Sequence, residues 1–149
     1  MYTIGYDIGS SFIKAAIVDV EHGTVIAKAS YPDNELPINA PVPGWAEQDP
    51  NSWWNAVKGA TSLLAAQTSV SLQDVGAIGI SYQMHGLVLV DKNGAPLRPS
   101  IIWCDSRATE IGRTAFSAIG ETACLNEMLN SPGNFTASKL CWVRENEPS

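Results

Sequence analysis

Three strand patterns in immediate succession at the N-terminus constrain this chain more than any other feature. Tyr2, Ile4, Tyr6 and Ile8 alternate with Thr3, Gly5, Asp7 and Gly9. This period of two predicts a strand that runs into a small-residue turn, with Asp7 at the strand's end. A second run from Phe12 to Val20 is rich in Ile, Val and Ala, and the turn Glu21-His22-Gly23 leads into a third from Thr24 to Tyr31. Connections this short join neighbours in antiparallel fashion, so the chain must open as a meander.

Pro32, Pro37, Pro41 and Pro43 then punctuate a segment to about Gln48 that excludes helix. Asp49-Pro50 is a helix-start signal, and Trp53, Val57, Ala60 and Leu64 fall on one face of a helix to about Ala66. Val75 to Tyr82 predicts a buried strand and Leu87 to Val90 another, followed by the turn Asp91-Lys92-Asn93-Gly94 and a short apolar run, Ile101-Ile102-Trp103. Asp105 or Ser106 can cap a helix striped by Ile111, Ala115 and Ile119, with Gly120 as a left-handed stop. Helices are also predicted over Glu121 to Leu129 and Ala137 to Glu145. A Rossmann unit alternates strand and helix from its start and is excluded. The predicted fold class is α/β, ribonuclease H-like or actin-like, with a mixed sheet beginning with the three-stranded meander and flanked by helices.

A chain of 149 residues fits one domain with one core, large enough to fold without disulfides or a structural metal. Its net charge of −6 argues against nucleic acid as a partner. Cys104, Cys124 and Cys141 are widely spaced, which suggests neither a disulfide framework nor a zinc site and fits a reducing, cytoplasmic setting. No signal peptide is visible, and the uncharged stretch Val75 to Val90 falls short of the ~18 apolar residues of a membrane span, so no membrane partner is expected.

Three segments could carry chemistry. In Asp7-Ile8-Gly9-Ser10-Ser11 with Lys14, glycine permits close backbone approach to an anion, the hydroxyls and amides offer donors, and the carboxylate can hold Mg²⁺ or its water. An ordinary β-turn explains the same residues. Gln83-Met84-His85-Gly86 follows a buried run and could present amide and imidazole to sugar hydroxyls, although a histidine satisfied by a backbone carbonyl fits equally. Trp103-Cys104-Asp105-Ser106-Arg107 could supply an apolar wall and an acceptor, but helix capping also explains Asp105. The aromatic stretch around Trp45, Trp53 and Trp54 reads best as core packing.

Taken together, these segments resemble the N-terminal part of the FGGY family of carbohydrate kinases, and most closely its xylulokinase branch. The resemblance rests on Gly5-Tyr6-Asp7-Ile8-Gly9-Ser10-Ser11 with Lys14, Pro43-Gly44-Trp45-Ala46-Glu47-Gln48-Asp49-Pro50 with Trp53-Trp54, and Gln83-Met84-His85-Gly86. It continues through Leu97-Arg98-Pro99, Trp103-Cys104-Asp105-Ser106-Arg107, and Pro132-Gly133 with Phe135-Thr136, Lys139-Leu140 and Trp142-Val143. It implies a lobe of the actin and hexokinase superfamily within an ATP- and Mg²⁺-dependent kinase of two lobes that phosphorylates a ketose, D-xylulose to D-xylulose 5-phosphate. Asp7 would stand beside Mg²⁺, and Gly9, Ser10, Ser11 and Lys14 would face the phosphates. Gln83, Met84, His85 and Asp105 would meet the sugar. Cys104 stands where close xylulokinases usually have Asn. The resemblance further implies a proton-accepting carboxylate downstream of these residues, a chain truncated to its first lobe, and a homodimer as the assembly to test. A non-catalytic sugar-binding module of the same ancestry, or a kinase for another sugar or polyol, are the alternatives.

Overall fold

The computed structural model describes residues Met1 to Pro148. In chain order the elements are β1 (Tyr2–Ile8), β2 (Ile13–Asp19), β3 (Thr24–Tyr31), β4 (Glu47–Gln48), α1 (Pro50–Ala66), β5 (Val75–Tyr82), β6 (Ser100–Ile101), α2 (Thr109–Ile119), α3 (Glu121–Ala123) and α4 (Thr136–Asn146). The described residues fall into two compact units, one formed by Met1–Pro37 with Asp49–Gln83 and the other by Ile38–Gln48 with the described residues from Met84 onward. The division arises because the proline-punctuated segment leaves the first unit and pairs through β4 with β6.

The first unit is a four-stranded mixed sheet in the order β3-β2-β1-β5. The meander pairs antiparallel as expected, whereas β5 lies parallel to β1 and so needs a crossover, which α1 supplies. Alternation in the sequence translates directly into faces. Ile4 and Tyr6 of β1 and Ile13, Ala15 and Ile17 of β2 are buried against Ala56, Ala60 and Leu64 of α1, while Gly5, Asp7 and Lys14 point to the exposed face. The helix face is thus centred on Ala56, Ala60 and Leu64, with Val57 at its flank rather than at its middle. Small side chains here allow close approach, and Gly59 packs where a Cβ would lie 2.7 Å from the Tyr31 ring. The Tyr6 hydroxyl, reaching in from the sheet, hydrogen-bonds Thr61 Oγ1 at 2.7 Å. Helix α1 starts as the sequence signals: Asp49 accepts from the Asn51 N–H at 2.9 Å, and Pro50 occupies the first turn.

The prediction that Val75 to Tyr82 is buried is corrected. The strand forms, but at the sheet edge, and Ile78, Ile80 and Tyr82 are 62%, 61% and 66% exposed because α1 covers the meander strands instead.

In the second unit, Leu87 to Val90 does not form a strand. Isolated bridges, Leu87 with Ile101 and Val90 with Pro96, and the Leu97 N–H donated to the Leu89 carbonyl at 2.9 Å link this run to its neighbours, and Pro96 and Pro99 lack the N–H groups that a continuous ladder needs. The turn between them forms as expected, with Asp91 Oδ1 accepting from the Asn93 and Ala95 N–H groups. Neither Asp105 nor Ser106 caps α2, which starts behind Ala108 without a side-chain cap. Gly120 does end that helix with a positive φ of 97°, though its ψ of 138° places it outside the left-handed helical region. The segment predicted as one helix from Glu121 is split into α3 and a π-turn, Cys124–Met128, which ends at Leu129 with φ 59°. The core here gathers Leu87, Ile101 and Val143.

Gly112 of α2 sets the spacing between that helix and the turn Pro132–Asn134, because a Cβ on it would lie 2.2 Å from the Gly133 Cα. Gly112→Ala raises helix propensity by about 1 kcal/mol, yet overpacking against backbone costs about 1–3 kcal/mol. The variant should therefore show a lower urea midpoint, whereas Gly79→Ala, with open space around it, should stay within about 0.5 kcal/mol of the parent.

Candidate functional site

The parallel pairing of β1 with β5 brings two C-terminal strand ends side by side, the place where open α/β sheets offer polar groups to ligands. Asp7 lies opposite Ser81 in this register, and the Gln83 N–H donates to the Ile8 carbonyl at 2.9 Å. Asp7 and Gln83 thus belong to adjacent strand ends of one unit. Across the hairpin Asp7 is paired with Lys14, so carboxylate and ammonium share the exposed face of the sheet. Lys28, which the sequence reading did not single out, completes this face. With Asp7, Lys14, Ala16 and Ser30 it lines an open concavity of about 560 Å³ floored by Gly5.

Gly9, Ser10 and Ser11 form the turn between Asp7 and Lys14. The Gly9 N–H closes the turn on the Phe12 carbonyl at 3.1 Å, and a Cβ on Gly9 would approach that oxygen to 3.0 Å. Glycine therefore contributes compactness here, and its amide is spent on the turn. The donor set suits a magnesium-bound phosphate chain. The one exposed carboxylate suits Mg²⁺, which keeps its waters and relies on one or two carboxylates plus phosphate oxygens, while the hydroxyls and the two ammonium groups suit the phosphate oxygens themselves. Among the described residues no cluster of three or more His, Cys, Asp or Glu side chains could hold a metal unaided. Gln83 adds a second signal: both polar atoms of its amide are buried without a hydrogen-bond partner, a costly state for an amide unless a ligand satisfies it.

The second unit carries the other expected residues. Met84 is 63% exposed, and His85 has a φ of 64°, a left-handed conformation uncommon for a residue with a Cβ. The His85 ring stacks on Phe135 with centroids 4.8 Å apart. Lys139, absent from the sequence-derived site, is fully buried, and its Nζ donates to the His85 carbonyl at 2.7 Å and the Asn134 carbonyl at 3.1 Å. Burial pulls its pKa down to about 8 against the opposing charge of Asp105.

Asp105 sits inside the second unit. It is 1% exposed, accepts from the Ala46 N–H at 2.6 Å, and receives the Arg107 N–H and guanidinium on both oxygens. Burial alone would raise its carboxyl, but the hydrogen bonds from Arg107 and Ala46 and the guanidinium charge hold it below the ordinary 3.8. Arg107 also reaches Glu47 at 2.8 Å and lies 3.8 Å over the Trp45 ring, itself edge-on to Trp142. Arg98 pairs with the same Glu47 at 2.6 Å. Core packing thus accounts for Trp45, whereas Trp54 is 62% exposed. No helix among the described residues is long and apolar enough to cross a membrane.

Comparison with known proteins gives a consistent result. The family model for the N-terminal domain of the FGGY family of carbohydrate kinases matches residues 2–149. A xylulose kinase of Escherichia coli (strain K12) is 39% identical over 145 residues, which is 97% of this chain and 28% of that protein. The crystal structure of a xylulose kinase from Rhodospirillum rubrum superposes with a TM-score of 0.85 at 31% identity, over 99% of this chain and 30% of that one. A gluconate kinase from Lactobacillus acidophilus superposes at 0.82 with 25% identity, over 99% and 29% of the respective chains. The chain therefore spans under a third of the length of these relatives, whose fold is the sugar-kinase fold of the actin and hexokinase type.

The charge cluster around Arg107 makes stability depend on acid. With its folded pKa below the unfolded one, the stabilisation from Asp105 is complete above about pH 4 and lost as pH falls through the folded value. Asp105→Asn should flatten the decline of urea stability below pH 4. Arg107→Ala, which strips buried Asp105 of its guanidinium and leaves Glu47 to Arg98 alone, should lower stability at pH 7 by about 3–5 kcal/mol.

Proposed function

Because this chain belongs to the FGGY family of carbohydrate kinases, we propose that it forms the nucleotide-phosphate and sugar-facing part of an ATP-dependent kinase that phosphorylates a ketose, D-xylulose being the substrate of choice. The observation that carries this reading is the junction of β1 and β5, where Asp7, a glycine-tightened serine turn and a buried amide without a partner share adjacent strand ends. The xylulose kinases among its relatives favour the sugar named here.

MgATP, when bound, supplies the phosphoryl group to be transferred. Asp7 would hold the metal or its water, while Ser10, Ser11 and Lys14 neutralise and orient phosphate oxygens, with Gly9 keeping the turn low enough for their approach. Phosphoryl transfer depends mainly on such positioning and charge compensation. Gln83, Met84 and His85 would bind the ketose, the amide of Gln83 gaining the partners that the fold withholds from it. Asp105, whose carboxylate is held by Arg107 and the Ala46 N–H, would serve the sugar site from inside the second unit.

The complete gene product should release ADP from MgATP in a D-xylulose-dependent manner, and Asp7→Asn should lower kcat by about 10²–10³-fold. The 149-residue chain alone should turn over little or no sugar. Sugar binding without ADP release by the complete product would identify a non-catalytic sugar-binding module instead, and turnover with gluconate or a polyol but not D-xylulose would reassign the substrate.

A further inference from the structure

The loop after β5 holds a strained residue, and one helix holds the loop. His85 is one of two non-glycine residues with positive φ among the described residues. A Cβ makes that conformation unfavourable, so it persists only where its surroundings impose it. Those surroundings come from α4 and the residues leading into it. Lys139 Nζ donates to the His85 carbonyl at 2.7 Å, Thr136 Oγ1 donates to the Gly86 carbonyl at 3.1 Å, and the Phe135 ring stacks on the imidazole. Beyond the loop, Leu87 exchanges both backbone hydrogen bonds with Ile101. Two consecutive carbonyls and one side chain are thereby gripped from one side, and the chain leaving them is fixed by pairing.

Lys139 is the unusual member of this grip. Lysine is rarely buried completely, yet this one is 0% exposed and directs its Nζ at backbone carbonyls. Two acceptors need two N–H donors, which the side chain offers whether charged or neutral. The grip therefore does not depend on its charge. A hydrophobic residue of the same volume would fill the space but leave the His85 and Asn134 carbonyls without this donor.

We infer that Lys139 is a positioning residue for sugar recognition, fixing the left-handed turn at His85 from which Met84 and His85 are presented to the substrate. This inference rests on the sugar-binding role proposed for that loop. The test is Lys139→Met in the complete gene product, compared with Leu64→Ala, which destabilises the core of the first unit without touching the loop. Lys139→Met should raise the KM for D-xylulose about ten-fold or more while the KM for ATP stays within two-fold. Leu64→Ala should leave both KM values near the parent's. Amide hydrogen exchange supplies a readout independent of activity: Lys139→Met should speed exchange at Leu87 and the neighbouring loop amides selectively. Should Lys139→Met fail to fold, Thr136→Val, which removes a single exposed donor, should still raise the sugar KM severalfold and accelerate the same amides. An unchanged sugar KM, or equal changes in both KM values, in a folded variant would overturn the inference. If the parent protein turns over no sugar, the proposed function fails, and the exchange pattern alone decides whether Lys139 holds the loop.

Discussion

The parallel pairing of β1 with β5 is the interaction on which the first unit depends. Antiparallel neighbours could have closed the sheet with another short turn, but a parallel partner requires the chain to cross the sheet, and α1 is that crossing. The helix in turn buries Ile4, Tyr6, Ile13 and Ile17, so the main core of the unit is a consequence of the crossover. The same pairing sets two strand ends at one edge, one leading to Asp7 and the serine turn and the other to Gln83. Core and candidate site are products of one topological choice.

The second unit is organised by charge as much as by apolar burial. Its hydrophobic cluster is small, and beside it Arg107 collects Asp105, Glu47 and Trp45. Buried ion pairs of this kind are poor sources of net stability but costly to break singly. They therefore fix an arrangement more than they strengthen it. The segment around Ala46 is tied to the Asp105 region by these bonds, while α4 grips the His85 loop by others. Binding groups on loops need such external constraint, because the loop's own backbone supplies little.

Much of this architecture was legible in the residues, and the parts that were not share a cause. The meander followed from alternation at Tyr2 to Ile8, and the start of α1 from Asp49-Pro50, since both signals are local. An acidic residue shortly before a helix suggests a cap for Asp105, and no side-chain cap forms on α2. The actual partners of Asp105 include the Ala46 N–H, far away in sequence, which no local pattern reveals. The apolar content of Val75 to Tyr82 predicts burial, but burial depends on which strands α1 covers, and the edge position leaves the strand exposed. Lys139 is the clearest case: a helical lysine ordinarily marks a solvent face, and only the carbonyls of His85 and Asn134 explain its burial. The signal available in the residues was its place in the Lys139-Leu140 piece of the family resemblance, which marks the position without giving its role.

The most direct test of the central claim is a crystal structure of the complete gene product with D-xylulose and a non-hydrolysable MgATP analogue. The account predicts phosphate oxygens or their metal at Asp7 and the Ser10-Ser11 turn, with sugar hydroxyls on the Gln83 amide and the His85 loop. Phosphates bound away from Asp7, or a sugar that leaves the Gln83 amide without a partner, would contradict it.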